Sequence, residues 1–263
     1  MKKLIFIIRY IKYLITSKSR YRIHSDFVYG FINDVLRDKT YFDDYSKLWD
    51  YRNKFASSND QIETVDFGFA AGNKAYRTNI LTLKSLVRSR THSKSRLELL
   101  YRLSKYSKSK NILEFGTAVG ISSSYIKMGS PSSKMISMEG CANLASKADE
   151  MHSALKLDNI EITKGNFDTN LQNVLKKFET LDFVFFDGNH REEPTLRYYQ
   201  VCSKYITENS IFVFDDIHWS SGMENAWDQI KKDNRVSITI DLFWFGIVFF
   251  RKGIEKQDFI IRY

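Results

Sequence analysis

Asn111-Ile112-Leu113-Glu114-Phe115 runs directly into Gly116-Thr117-Ala118-Val119-Gly120. A short apolar run bounded by turn residues reads as a buried strand. The glycines that follow permit a tight bend and close backbone approach by a ligand. Residues 121–128 then have a helical pattern, which makes a strand–bend–helix unit. The alternation continues down the chain. Strands are expected at 134–138, 160–163, 181–186 and 210–214. Helices are expected at 142–155, 171–178, 195–205 and 222–232. Strands alternating with helices predict a parallel sheet with helices on both faces. Residues 236–242 and 247–251 are two further strands with too little between them for a crossover helix, so they must pair antiparallel.

The bend is not a dinucleotide fingerprint. Counting from Gly116, the G-x-G-x-x-G pattern meets Ala118 at its third place and Ile121 at its sixth. Two of three glycines fail, and a pyrophosphate cradle is disfavoured. No Lys-Ser/Thr pair follows the glycines, so the P-loop fails as well. A nicotinamide oxidoreductase is disfavoured on the same ground. The second strand ends Met138-Glu139-Gly140, and an acid at that place can accept two hydrogen bonds from ribose hydroxyls. The third leads into Gly165-Asn166-Phe167-Asp168. Two readings stay open there. Phe167 covers an adenine face while Asp168 accepts from an exocyclic amine, or the four residues are a turn with a helix cap at Asp168.

The ordered set E-x-G-T-x-x-G-x-S at 114–122, Glu139 one strand later, and Gly165-Asn166-Phe167-Asp168 resembles the class I S-adenosylmethionine-dependent methyltransferases. The likeness is greatest to small-molecule O-methyltransferases of the metal-dependent catechol type and their bacterial relatives, over about residues 97–251. It implies a Rossmann-like α/β fold with a seven-stranded sheet and an antiparallel terminal hairpin. It also implies cofactor contacts. Glu114, Gly116, Thr117, Gly120 and Ser122 would surround the methionine part of S-adenosylmethionine. Glu139 and Gly140 would lie at the ribose, and Phe167 and Asp168 would border the adenine.

Two polar clusters close the apolar strands four and five: Asp187-Gly188-Asn189-His190 and Asp215-Asp216-Ile217-His218-Trp219. Ligands of open α/β sheets bind beyond the carboxyl ends of strands. Three carboxylates gathered there repel one another, and Mg2+ or Ca2+ would offset that repulsion. The resemblance assigns Asp187, Asp215 and Asp216 to such a cation, with Asp216 standing where Asn is common. It also places Asp187 beside the cofactor and in the catalytic group. His190 falls at the family's catalytic-base position, where catechol enzymes carry Lys. An imidazole is a reasonable base for an acidified hydroxyl. The alternative is that His190 only orders its loop. His218 is a weaker candidate, a partner to the site's first ligands.

The chain of 263 residues carries a net charge of +9. Residues 1–110 hold 23 Lys and Arg against 10 Asp and Glu, so the positive charge lies in the front. That front divides the chain into a mostly helical, basic extension over 1–96, read as a substrate cap, and a catalytic domain over 97–263. Residues 4–15 set Leu4, Ile7, Ile8, Ile11, Leu14 and Ile15 on one helical face, with Lys2, Lys3, Arg9 and Lys12 on the other. The stripe is expected to pack on the protein itself; the alternative is a peripheral membrane contact through residues 1–18. Residues 80–90 are expected to be helical. The two cysteines, Cys141 and Cys202, form no disulfide framework and suit a reducing, cytoplasmic interior. No motif for base methylation of nucleic acid occurs. A small hydroxylated acceptor, small molecule or sugar, is therefore favoured over RNA, and a non-catalytic cofactor-binding protein is the third reading. The sequence does not give the oligomeric state.

Overall fold

A computed structural model describes residues 2–66 and 76–263. In chain order the helices are α1 (Lys2–Thr16), α2 (Asp26–Phe31), α3 (Asp43–Ser57), α4 (Leu83–Arg90), α5 (Lys94–Ser107), α6 (Ile121–Gly129), α7 (Ala142–Ala154), α8 (Phe167–Leu175), α9 (Glu192–Cys202) and α10 (Ser221–Lys232). The strands are β1 (Gln61–Asp66), β2 (Arg77–Thr82), β3 (Asn111–Phe115), β4 (Lys134–Glu139), β5 (Ile160–Lys164), β6 (Leu181–Phe186), β7 (Ile206–Asp215), β8 (Ile238–Asp241), β9 (Phe245–Phe249) and β10 (Gln257–Ile260). The architecture is the expected Rossmann-like α/β type. Two compact units make it up. One combines Met1–Asp38 with Thr180–Tyr263, and the other is Lys39–Glu179.

In the unit 39–179, β4 lies between β3 and β5, parallel to both. The register pairs Phe115 with Met138 and Glu139 with Lys164. The carboxyl ends therefore finish nearly level, and the glycine bend, Glu139 and Gly165 emerge along one edge. The core beside this sheet joins Leu48, Phe55, Leu86, Leu97, Tyr125 and Met151, all buried. β1 and β2 form an antiparallel hairpin from Gln61↔Thr82 to Asp66↔Arg77. This corrects the helix expected over 80–90, because residues 77–82 are strand and helix begins only at Leu83. Thr78, Ile80 and Thr82 are β-branched and favour extended backbone, and the Thr82 side chain then caps α4 by accepting from the Ser85 amide. The sequence also holds a short apolar stretch over 65–72, which beyond residue 66 lies outside the described residues.

In the other unit the strand order is β10-β8-β9-β7-β6. β6 and β7 are parallel, with Phe186 opposite Phe214, so Asp187 and Asp215 leave the sheet side by side. β9 is antiparallel to both β7 and β8, which is the expected terminal hairpin. β10 then adds parallel to β8, a strand the sequence pattern did not announce. Residues 1–38 belong to this unit. Lys18 bridges to Ile261, and Phe27 and Phe31 meet Phe249 with ring centroids 5.1 and 5.2 Å away.

The expectation for α1 is overturned. Its aliphatic stripe is exposed, and the opposite face docks. Phe6 contacts Trp219, Phe243 and Trp244, and Tyr10 and Tyr13 meet Phe243. Arg9, on the face opposite the stripe, is paired with Glu224 at 2.7 Å. Aromatic rings bury more surface per residue than aliphatic chains, and their hydroxyls can be satisfied at the protein. Tyr13 shows this by donating to the Ile261 carbonyl at 2.6 Å.

Candidate active site

The bend between β3 and α6 is built on left-handed backbone. Gly116 and Gly120 have φ of 95° and 84°, and Ala118 joins them at 46°. Gly120 is also pressed against α7: a Cβ there would lie 2.9 Å from the Cα and Cβ of Ala148. The Gly116 amide donates to the Met138 carbonyl at 2.9 Å, which ties the bend to β4.

Glu139 closes the bend from the next strand. One carboxylate oxygen accepts from the Ala118 amide and the other from the Cys141 amide, both at 2.8 Å. Burial raises its pKa, while these two amides favour the ionised form. A carboxylate has about four lone-pair directions, so both oxygens retain capacity toward a ligand hydroxyl. Glu114 sits fully buried beneath the bend. It accepts from Ser122 at 2.7 Å and from Ser137, and Ser137 also meets Thr117. Burial pushes the Glu114 carboxyl up to about 7, against the pull of the two serines. Glu114 thus pins β3 to both β4 and α6.

At the end of β5, the Gly165 amide donates to the Glu139 carbonyl at 2.8 Å. The helix cap here is Asn166, whose side chain accepts from the Asp168 amide at 2.8 Å. This replaces the cap at Asp168 and moves the start of α8 from 171 to Phe167. The Asp168 side chain is left exposed, and the partly buried Phe167 ring lies edge-on to Phe115 at 5.7 Å.

The acidic rim belongs to the other unit. Asp187 lies 3.5 Å from His190 through Oδ1 and Nε2. His190, Asp215 and Asp216 each bring one ligand atom within 4.8 Å of the other two, and a ligand atom of Asp187 lies within the same distance of one on Asp215. The structure therefore brings together all three predicted acids and the predicted base. Asp216 adopts φ of 54°, and its amide is tied to the Trp244 carbonyl at 2.8 Å. An N/O donor set of this kind suits a divalent cation.

His218 takes a different part from the one expected. Its Nε2 faces Asp241 at 2.8 Å, and Nδ1 faces Glu224 at 3.2 Å. Burial works against its charge, but the two carboxylates outweigh it and raise the pKa. It fastens α10 to β8. His152 is a residue the sequence reading missed. It is buried under the bend with Nε2 2.8 Å from Ser123 Oγ, and burial lowers its pKa to about 4. A histidine inside a plain helical run carries no local signal; only the packing of α7 on α6 selects it.

Residues 113–217 match the family model described as a methyltransferase domain. No curated protein matches the sequence. Among solved structures, an O-methyltransferase from Bacillus cereus in complex with S-adenosylhomocysteine is 16% identical. It aligns over 84% of this chain and 96% of its own, with a TM-score of 0.56. The O-methyltransferase of tomaymycin synthesis from Streptomyces achromogenes, bound to S-adenosylmethionine, is 17% identical over 85% and 95%, with a TM-score of 0.57. An S-adenosylhomocysteine-bound methyltransferase from Podospora anserina is 12% identical over 88% and 97%, also at 0.57. The chain thus has the class I methyltransferase fold, and its residues 113–217 match the model of a methyltransferase domain.

Proposed function

We propose that this protein is an S-adenosylmethionine-dependent O-methyltransferase acting on a hydroxyl of a small molecule. One observation carries the reading. The Glu139 carboxylate is held across the glycine bend by the Ala118 and Cys141 amides. That arrangement presents an oriented acceptor at the edge where a ribose diol would bind. Gly116, Thr117 and Gly120 form the bend beside it. Glu114 and Ser122 hold that backbone from beneath, Gly140 follows Glu139 on the ribose side, and Phe167 and Asp168 border the base.

The cofactor supplies an electrophilic methyl group on a sulfonium. The substrate oxygen forms the new C–O bond as the C–S bond breaks, and the acceptor's proton must leave. His190 is the base in this reading, oriented by Asp187. Alignment of oxygen, carbon and sulfur supplies most of the acceleration. Asp187, Asp215 and Asp216 would hold a divalent cation, whose chemistry is to lower the pKa of a bound hydroxyl. Residues 1–96 are the acceptor-specific part of the chain.

The test is calorimetry with S-adenosylhomocysteine. Glu139→Ala is expected to weaken binding about 10- to 100-fold, the scale of lost hydrogen bonds to a charged group. Unchanged affinity removes the ribose assignment, and binding of NADH instead removes the methyltransferase reading. Cofactor binding without turnover across a panel of catechols and sugars would favour the non-catalytic alternative.

A further inference from the structure

Helix α1 has two apolar faces, and its own unit uses one. The inner face is secured by Phe6, Tyr10 and Tyr13 on Phe243, and by Arg9 on Glu224. The outer face carries Leu4, Ile7, Ile8, Ile11 and Ile15, each between 49% and 78% exposed. Their spacing places all five in one arc of the helix. Docking does not need them, so folding of this unit does not account for their apolar character. A contiguous exposed aliphatic stripe marks an interaction surface, unlike apolar residues scattered singly.

We propose that α1 is an interfacial helix that seats this protein on an anionic lipid surface. Charge selects the occupant. Residues 1–25 contain four Lys and three Arg and no Asp or Glu. Arg9 is taken up by Glu224, but Lys12, Lys18 and Arg22 are exposed. Lys12 flanks the stripe, where its stem can follow the aliphatic surface while the ammonium stays at headgroup level. Each such cation is attracted by an anionic leaflet. The exposed Trp219 packs against Phe6 at 5.9 Å, and indole rings favour the membrane–water interface.

Helix length fixes the mode. Fifteen residues extend about 22 Å at the α-helical rise, short of the roughly 30 Å of a bilayer core. No described helix is long and apolar enough to cross a membrane. With its inner face fastened along its length, α1 lies along the surface. Pairing two stripes between copies of this chain would bring two such cationic segments together with no acid among them, which like-charge repulsion opposes.

Vesicle co-sedimentation of the full chain tests this. The protein is expected to sediment with phosphatidylcholine vesicles containing about 30% phosphatidylglycerol, less with pure phosphatidylcholine, and less again as salt rises. The triple variant Ile7→Gln, Ile11→Gln, Ile15→Gln is expected to lose about tenfold or more in partitioning. Its melting temperature and S-adenosylhomocysteine affinity should stay as in the parent. The pair Lys12→Glu, Lys18→Glu keeps the stripe and should lose the preference for anionic vesicles. The proposal is overturned if the parent stays in solution with both vesicle types, or if the triple variant partitions like the parent. It is equally overturned if sedimentation velocity shows a dimer that the triple variant dissolves while vesicles bind neither protein.

Discussion

Glu114 shows how much a single buried acid can be asked to do. The sequence places it at the end of a strand, where an acid usually meets solvent or a ligand. In the fold its carboxylate is enclosed, with Ser122 and Ser137 as partners. Its pKa rises from 4.5 to about 7 because burial penalises the charged form. The sign of the consequence follows. A carboxyl with a raised folded pKa favours the fold while protonated, below 4.5, and that contribution is lost as pH rises through 7. Glu114→Gln removes the charge. The variant should gain on the parent by up to about 3 kcal/mol between pH 4.5 and pH 8. Thermal melts at the two pH values check it; a difference that does not change with pH would show that this carboxyl does not titrate there. The residue type was legible from the motif, but its enclosure was not, because Ser137 reaches it from another strand.

At the scale of elements, the alternation after residue 110 could be read directly. β3, β4 and β6 are buried on both faces for most of their length and appear as apolar runs. Local competition moved their boundaries. Asn166 starts α8 four residues early through its side chain, a polar effect that apolar periodicity cannot register. Asn166→Ala should therefore cost about 1 kcal/mol of stability, read as a lower urea midpoint. An unchanged midpoint would mean that the cap contributes nothing. The hairpin of β1 and β2 was missed for a similar reason. Its strands are short and only partly buried, and their pairing joins residues separated by more than ten positions. β10 was missed because its four residues match a strand only once β8 offers it an edge.

At the scale of the molecule, the sheet edges assemble groups that are far apart in the chain. Asp187, His190, Asp215 and Asp216 converge because β6 and β7 run parallel in register. If this cluster holds a cation, EDTA should reduce turnover of a hydroxylated acceptor to background, and Mg2+ should restore it. Full turnover in EDTA would discard the cation and leave His190 to act alone. His190→Ala should lower kcat about 100-fold or more, the range of general-base catalysis, with S-adenosylhomocysteine affinity unchanged. An equal loss of cofactor affinity would instead mean that the histidine shapes the cofactor site.

The strand–bend–helix order and the acid after the second strand are local patterns, so the sequence alone determined the fold class and the edge on which the glycine bend and Glu139 lie. Apolar periodicity and glycine conformational freedom are properties of neighbouring residues, and they survive without any tertiary context. Which face of α1 docks, which histidine joins the acidic cluster and which braces α10 to β8, and how deeply Glu114 is enclosed were decided only by tertiary packing. Each depends on partners brought from distant strands, and the free energy of burying a ring or a charge is set by those partners rather than by the residue itself.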